Sequence, residues 1–161
     1  MGTSDIRIDD PRLYQLYRYW KAKCAGRAMP TRADIDPLEM KWLLGNLSLI
    51  EVRQKPADFR FRLVGSNVVN LFGKELTGRA VGEVRYLGKR PPLEQQCGDV
   101  VANQHPSFLI MMLGVDHRRI IYRHLVLPLS SDGRNVDLLL AGALMDRAPV
   151  KVDGDRLANA W

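Results

Sequence analysis

Residues 107–145 decide the fold, and they read SFLIMMLGVDHRRIIYRHLVLPLSSDGRNVDLLLAGALM. Three runs rich in apolar and β-branched residues occupy this stretch, and turn-forming residues separate them at 114–117 and 131–133. Short apolar runs joined by turns that contain Gly and Asp are typical of strands that pair with their sequence neighbours. The last third of the chain therefore predicts an antiparallel meander of three strands.

The middle of the chain predicts two further strands. The run LSLIEV begins at Leu47, and the run FRFRLVG follows after a turn at Gln54–Asp58. In the second run Phe59, Phe61 and Leu63 alternate with arginines, which is typical of a strand with one buried and one exposed face. These two runs predict a hairpin, and they bring the expected sheet to five antiparallel strands.

An amphipathic helix is predicted ahead of the hairpin. Asp10 and Pro11 supply an N-cap and a first-turn proline, and the helix is expected to end near Gly26. Its apolar residues recur at steps of three or four positions, as a buried helix face requires. They are Leu13, Leu16, Tyr17, Trp20 and Cys24.

Three more helices are predicted, and each begins at a capping residue or a proline. The start signals are Asp36-Pro37, Ser66 and Pro91-Pro92. The segment GKELTGRAVGEV at 73–84 is rich in glycine and predicts a loop. Strands that pair antiparallel, with the helices gathered on one side, define an α+β domain. The expected helix ranges are 36–45, 66–70 and 92–103.

The composition fits one globular domain. Of 161 residues, 46% are hydrophobic and 26% charged, which excludes disordered, collagenous and coiled-coil chains. Cys24 and Cys97 form no CxxC pair, and this favours a reduced, cytoplasmic setting. The sequence shows no secretory signal and no apolar run of about 18 residues, so we expect no contact with a membrane.

Four motifs add to the order of the elements. They are Tyr19-Trp20, Met29-Pro30-x-Arg32-x-Asp34-Ile35-Asp36-Pro37, Asp58-Phe59-Arg60-Phe61-Arg62-Leu63-Val64-Gly65 and Gly73-Lys74-Glu75-Leu76-Thr77-Gly78. Together they resemble a PAS domain, and more specifically the stand-alone PAS-like proteins common in alphaproteobacteria. The resemblance spans Leu13 to Met145. It implies a five-stranded antiparallel sheet with helices on one face and an N-terminal amphipathic helix.

The resemblance also implies a division of the chain. We expect one PAS-like domain over 1–161, with an entry helix and cap at 1–28, a PAS core at 29–146 and a C-terminal tail at 147–161. PAS domains are sensory or regulatory modules, and a domain of this kind is not expected to be an enzyme. No P-loop, GxGxxG motif or Ser-His-Asp order stands out in this sequence.

The function implied by the resemblance is binding of a small molecule, docking of a signalling partner, or both, as a homodimer. The inward residues of the strands would line the pocket, together with one helix residue. The expected pocket residues are Phe59 or Phe61, Val68, Ile110 or Met112, Tyr122 and Leu140. The stripe Leu13, Leu16, Tyr17 and Trp20 would form the dimer or partner surface, and packing against its own domain is an equal alternative.

The resemblance identifies no cofactor. A flavin photosensor of this fold needs an Asn-Cys-Arg-Phe-Leu-Gln segment, and its absence excludes flavin photochemistry. Haem is not favoured. The histidine nearest to the predicted helix at 92–103 is His105, and it stands before Pro106, where a helix C-terminal cap is expected. The three histidines are scattered and make no metal-ligand spacing.

A second class of function follows from the net charge of +6. Arg118, Arg119 and Arg123 match the RRxxxR element of PilZ domains, which bind cyclic di-GMP, and a basic stretch runs from Arg18 to Arg32. The second PilZ element is incomplete, since Leu139 stands where that element has serine. A cyclic-dinucleotide or nucleic-acid binder is therefore the alternative, with solvated basic faces as the simpler interpretation.

Overall fold

The structure is a computed structural model, and it describes residues 6–54, 58–83, 92–115 and 117–147. Its strands are β1 (Leu47–Arg53), β2 (Asp58–Val64), β3 (Ser107–Val115), β4 (Arg118–Leu129) and β5 (Leu138–Arg147). Its α-helices are α1 (Pro11–Cys24), α2 (Ser66–Phe72) and α3 (Pro92–Asn103). Three short 3₁₀ helices are η1 (Arg32–Asp34), η2 (Pro37–Asn46) and η3 (Val81–Glu83).

The five strands form one sheet in the order β2-β1-β5-β4-β3. All neighbouring strands pair antiparallel. The predicted meander of β3, β4 and β5 and the predicted hairpin of β1 and β2 are both present. The pairing of β1 with β5 joins the two halves, and it places the hairpin beside the last strand of the meander.

The sheet has two faces, which we name by what covers them. The inner face carries Tyr122 and His124 of β4, and α2 and α3 pack on it. The outer face carries Leu140 and Gly142 of β5, and α1 packs on it. Side chains alternate between the faces along each strand, so the cross-strand pairs assign every strand residue to one of them.

Helix α1 begins at a capped residue, because the Asp10 carboxylate accepts a hydrogen bond from the Arg12 N–H at 2.8 Å. A Cβ added at Gly142 would lie 2.7 Å from Leu16 Cδ2, so the helix approaches the sheet at a residue without a side chain. Trp20 Nε1 donates to the Pro128 carbonyl at 2.8 Å. The stripe proposed for partner docking therefore packs on its own sheet, and its residues are at most 6% exposed: Leu13, Leu16, Tyr17 and Trp20.

The segments between strands differ in detail from the sequence prediction. The helix expected at 36–45 is the 3₁₀ helix η2, which is kinked at Met40, where φ is −123°. Helix α2 has Gly65 rather than Ser66 as its N-cap, and no side chain caps it. The described part of the predicted loop, residues 73–83, hydrogen-bonds to the β2 edge, where Gly78 N–H donates to the Phe61 carbonyl at 2.7 Å.

Some predictions fall outside the described residues. They concern the tip of the turn at 55–57, the proline Pro91 that opens the long helix, the hairpin residue Asp116 and the tail from 148 onward.

Candidate functional site

A buried polar cluster lies between α3 and the inner face. Gln96 on α3 is 1% exposed, and its Nε2 donates to the carbonyls of His124 at 3.0 Å and of Ser107 at 3.1 Å. Because Nε2 serves these two acceptors, the amide oxygen faces the ring, and Gln96 Oε1 lies 2.7 Å from His124 Nδ1. An amide oxygen only accepts, so Nδ1 carries the proton and Nε2 of His124 is left as an acceptor.

The ring system around this cluster is closely packed. The Tyr122 ring lies 5.4 Å from the His124 ring and 6.4 Å from the Phe72 ring of α2. Cys97 of α3 is fully buried on the same side. Helices α2 and α3 and strand β4 therefore meet at this polar cluster.

Burial keeps every titratable group of the cluster uncharged. It lowers the pKa of His124 to about 3 and raises the pKa of Cys97 to about 12. It also raises the pKa of Tyr122 above its ordinary value, since desolvation penalises the phenolate. A neutral thiol is a poor nucleophile and a neutral cluster holds no anion, so the chemistry available here is hydrogen bonding.

Two polar atoms of the cluster remain unused. Among the residues that the structure describes, none hydrogen-bonds to the Tyr122 hydroxyl or to Nε2 of His124. The hydroxyl both donates and accepts, whereas Nε2 accepts. Each of the two atoms is therefore available for one further hydrogen bond.

The predicted pocket residues divide between the two faces. Phe59 and Phe61 pair with Val52 and Ile50 of β1, and the pairings that link β2 to β4 place them on the inner face with Tyr122. Val68 of α2 is buried at 2% exposure. These members of the predicted pocket lie on the side of the sheet that the polar cluster occupies.

The other predicted pocket residues lie on the outer face. Ile110 pairs with Arg123 and Met112 pairs with Ile121, so both point away from the side that Tyr122 faces. Ile110 is 53% exposed. Leu140 lies on the outer face beside Gly142. The sheet itself therefore separates these residues from the inner-face cluster.

The three arginines of β4 do not form one anion site. Arg119 and Arg123 share the outer face and Arg118 lies on the inner one, as strand alternation predicts. Arg123 Nε lies 3.2 Å from Asp9 Oδ1, and its Nη1 lies 3.1 Å from Asp146 Oδ2. This guanidinium is thus paired with carboxylates of its own chain.

The basic stretch from Arg18 to Arg32 is partly neutralised. Lys23 Nζ lies 3.2 Å from Glu39 Oε1, and Arg27 Nη2 lies 2.8 Å from Asp34 Oδ2. Exposed ion pairs of this kind contribute little stability, yet they lower the positive potential that a phosphate backbone would meet.

The described part of the chain shows no cluster of three or more side chains that could ligate a metal. His105 and His117 are both exposed, and they lie in separate loops. Within the same described ranges, no helix is long and apolar enough to cross a bilayer.

The sequence analysis does not identify Gln96, and it does not predict which face of the sheet His124 occupies. A signal for Gln96 was present, because this amide interrupts the apolar stripe that Leu93, Cys97 and Val100 form along α3. A polar residue within a buried helix stripe requires a hydrogen-bond partner, although the sequence does not identify it.

The five-stranded antiparallel sheet carries α1 on its outer face and α2 and α3 on its inner face, with the buried polar cluster beneath α3. A family model described as "PAS domain" matches residues 8–145. The chain belongs to the PAS domain family, whose members are typically sensory and signalling modules.

Solved structures give the same fold. A light-oxygen-voltage (LOV) domain studied with a flavin analogue aligns with a TM-score of 0.50 at 15% identity, over 76% of this chain and 90% of that one. The LOV protein of Rhodobacter sphaeroides aligns with a TM-score of 0.52 at 8% identity, over 92% of this chain and 74% of that one. Identities this low show the fold alone. No curated protein sequence matches this chain.

Proposed function

We propose that this chain is a non-enzymatic sensory module whose inner face binds a small molecule through hydrogen bonds. The family supports a sensory role. The neutral state of His124, Tyr122 and Cys97 supports binding rather than catalysis, because none of them is poised to exchange a proton or attack a substrate near neutral pH.

One observation carries the proposal. The Tyr122 side chain is 2% exposed, and its hydroxyl has no hydrogen-bond partner among the described residues. A buried hydroxyl without a partner costs about 1–3 kcal/mol, so native proteins nearly always satisfy such a group. A ligand that hydrogen-bonds to this hydroxyl and to Nε2 of His124 would remove that cost, and the ligand class is therefore a small polar, uncharged molecule.

The second half of the proposal is relay of the signal to a protein partner, with the chain acting as a homodimer in the cytoplasm. Both cysteines are buried and free, which is compatible with a reducing compartment. Because the apolar stripe of α1 is buried against its own sheet, a second copy or a partner would have to use another surface. Analytical ultracentrifugation at several concentrations tests the homodimer.

The ligand is tested by native mass spectrometry of protein purified without additives, followed by a thermal-shift screen of small polar metabolites. We expect a bound mass that denaturation releases, or a metabolite that raises the melting temperature. The variant Tyr122→Phe removes only the hydroxyl and should lose the bound mass or the shift. Tyr14→Phe is the matched control, since Tyr14 is 41% exposed on α1.

Two results would contradict this assignment. One is a protein with no bound mass and no stabilising metabolite. The other is a ligand that Tyr122→Phe and Tyr14→Phe bind equally well. Either result would make the cluster a purely structural part of the core.

A further inference from the structure

A cavity lies on the outer face, on the side of the sheet away from the polar cluster. It has a volume of about 350 Å³. Helices η1 and η2 form one wall, and β1, β2 and β5 form the floor. The apolar residues that line it include Ile35, Met40, Leu44, Leu49, Leu63 and Leu140.

Backbone geometry shapes the β2 side of this cavity. A bulge in β2 sets Leu63 opposite Leu49 and Phe61 opposite Ile50, so Leu63 leaves the inner-face pattern and lies on the outer face. Gly65 N–H donates to the Leu47 carbonyl at 2.7 Å. The chain at Gly65 runs so close to the Gly45 carbonyl that an added Cβ would overlap it.

One cation lines this apolar cavity. Arg32 Nη1 donates to the Ile35 carbonyl at 3.0 Å, which ties the guanidinium to a lining residue. Within the described ranges no carboxylate forms an ion pair with Arg32, since the neighbouring Asp34 is bound by Arg27. The cavity therefore combines an apolar lining with a positive charge that has no anionic partner among the described residues.

The exposure of the lining supports a ligand as well. Leu63 is 54% exposed and Leu44 is 45% exposed, although both belong to an otherwise buried apolar surface. A volume of about 350 Å³ lies near the lower end of the range for small-ligand pockets. An apolar tail would cover these leucines, and the anionic end of the same molecule would complement Arg32.

We propose that this outer cavity binds a small amphipathic carboxylate of the medium-chain fatty acid class, with its tail on Leu49, Leu63 and Leu140 and its carboxylate on Arg32. The site is separate from the inner-face cluster and goes beyond the proposed function. The two assignments can therefore fail independently, because different side chains carry them.

The test measures binding of octanoate and of the uncharged 1-octanol by isothermal titration calorimetry. We expect Arg32→Gln to weaken octanoate binding about threefold and to leave 1-octanol binding unchanged, since Arg32 is exposed and an ion pair at an exposed guanidinium is worth roughly 0.7 kcal/mol. Arg62→Gln is the matched control, because Arg62 is an exposed arginine on β2 that does not line the cavity. It should bind both compounds as the wild type does.

A second variant tests the tail. Leu63→Glu places an anion in the cavity lining and should abolish octanoate binding, whereas Leu109→Glu, at an exposed leucine outside the lining, should not. Tyr122→Phe should also leave octanoate binding intact, which separates this site from the inner-face one. The proposal is overturned if octanoate fails to bind, or if Arg32→Gln binds it normally. It is equally overturned if Leu63→Glu leaves octanoate binding intact but abolishes self-association in ultracentrifugation or binding to lipid vesicles. Either result would show that a second copy or a membrane surface covers these leucines.

Discussion

The buried histidine His124 makes a quantitative prediction about stability and pH. Its pKa in the folded chain is lowered by burial to about 3, from an ordinary value of 6.5. Between these two values the unfolded chain holds a proton on this ring and the folded chain does not. The contribution of His124 to the free energy of unfolding is therefore fully present above pH 6.5, and it is lost as the pH falls toward 3.

The magnitude follows from proton linkage. One pKa unit corresponds to about 1.4 kcal/mol, so the free energy of unfolding should fall by about 2 kcal/mol between pH 6.5 and about pH 5. The full loss, down to the folded-state pKa, would be about 5 kcal/mol. Asp10, Asp34, Glu75 and Asp132 also have lowered pKa values, and each loses its contribution only below its ordinary value of 3.8 or 4.5.

Urea denaturation at fixed ionic strength, followed by tryptophan fluorescence between about pH 7.5 and pH 5, measures this slope. His124→Gln keeps an amide beside Gln96 but cannot titrate, so its free energy of unfolding should vary little across the same window. His105→Gln, at an exposed position, should retain the wild-type slope. A wild type that is flat in this window, or a His124→Gln variant as steep as the wild type, would refute a buried neutral imidazole.

Further predictions concern packing and reactivity. Gly142→Ala should destabilise the fold by about 1–3 kcal/mol in urea denaturation, because the new Cβ meets leucines of α1. In Gly98→Ala the new Cβ meets nothing within 4 Å, so this variant in α3 should raise the free energy of unfolding by about 0.5–1 kcal/mol. Equal effects of Gly142→Ala and Gly98→Ala would argue against close packing of α1. Trp20→Phe should cost about 1–3 kcal/mol by orphaning a β4 carbonyl, and Tyr14→Phe should be near neutral. Cys97 should react with a thiol reagent only after unfolding, and fast labelling of the native protein would contradict its burial.

Local patterns were enough to predict the elements. The capped start and the three-and-four spacing predicted α1, and the apolar runs between turns predicted β3, β4 and β5. These signals are local, because capping and amphipathic spacing act within a few residues. The position of a helix or strand in the chain could therefore be predicted without its partners.

The face that each pocket residue occupies could not be predicted in the same way. The run FLIMML in β3 has no polar residue to mark an exposed side, and β4 is buried on both faces from His124 to Leu129. Alternation of polar and apolar residues along a strand predicts which face is buried only when the other face is exposed to solvent. Alternation alone therefore does not separate Ile110, Met112 and Leu140 from Tyr122, although the sheet places them on opposite faces.

The bulge in β2 shows a related limit. The pattern Phe59, Phe61, Leu63 predicted one buried face, but the register shifts between Leu49 and Ile50 and turns Leu63 to the outer face. A bulge is decided by pairing with the neighbouring strand, and nothing in the alternation itself signals it. This shift places Leu63 in the floor of the outer cavity.

The strands, most helices, the α+β class and the resemblance to PAS domains follow from short segments of sequence, since propensity, capping and periodicity act locally. The pairing of β5 with β1, the burial of the α1 stripe and the contact of Gln96 with His124 depend on the tertiary structure. Each of these depends on contacts between residues far apart in the chain, such as the 28 positions that separate Gln96 from His124. Packing of the whole domain selects such contacts, and no local pattern encodes them.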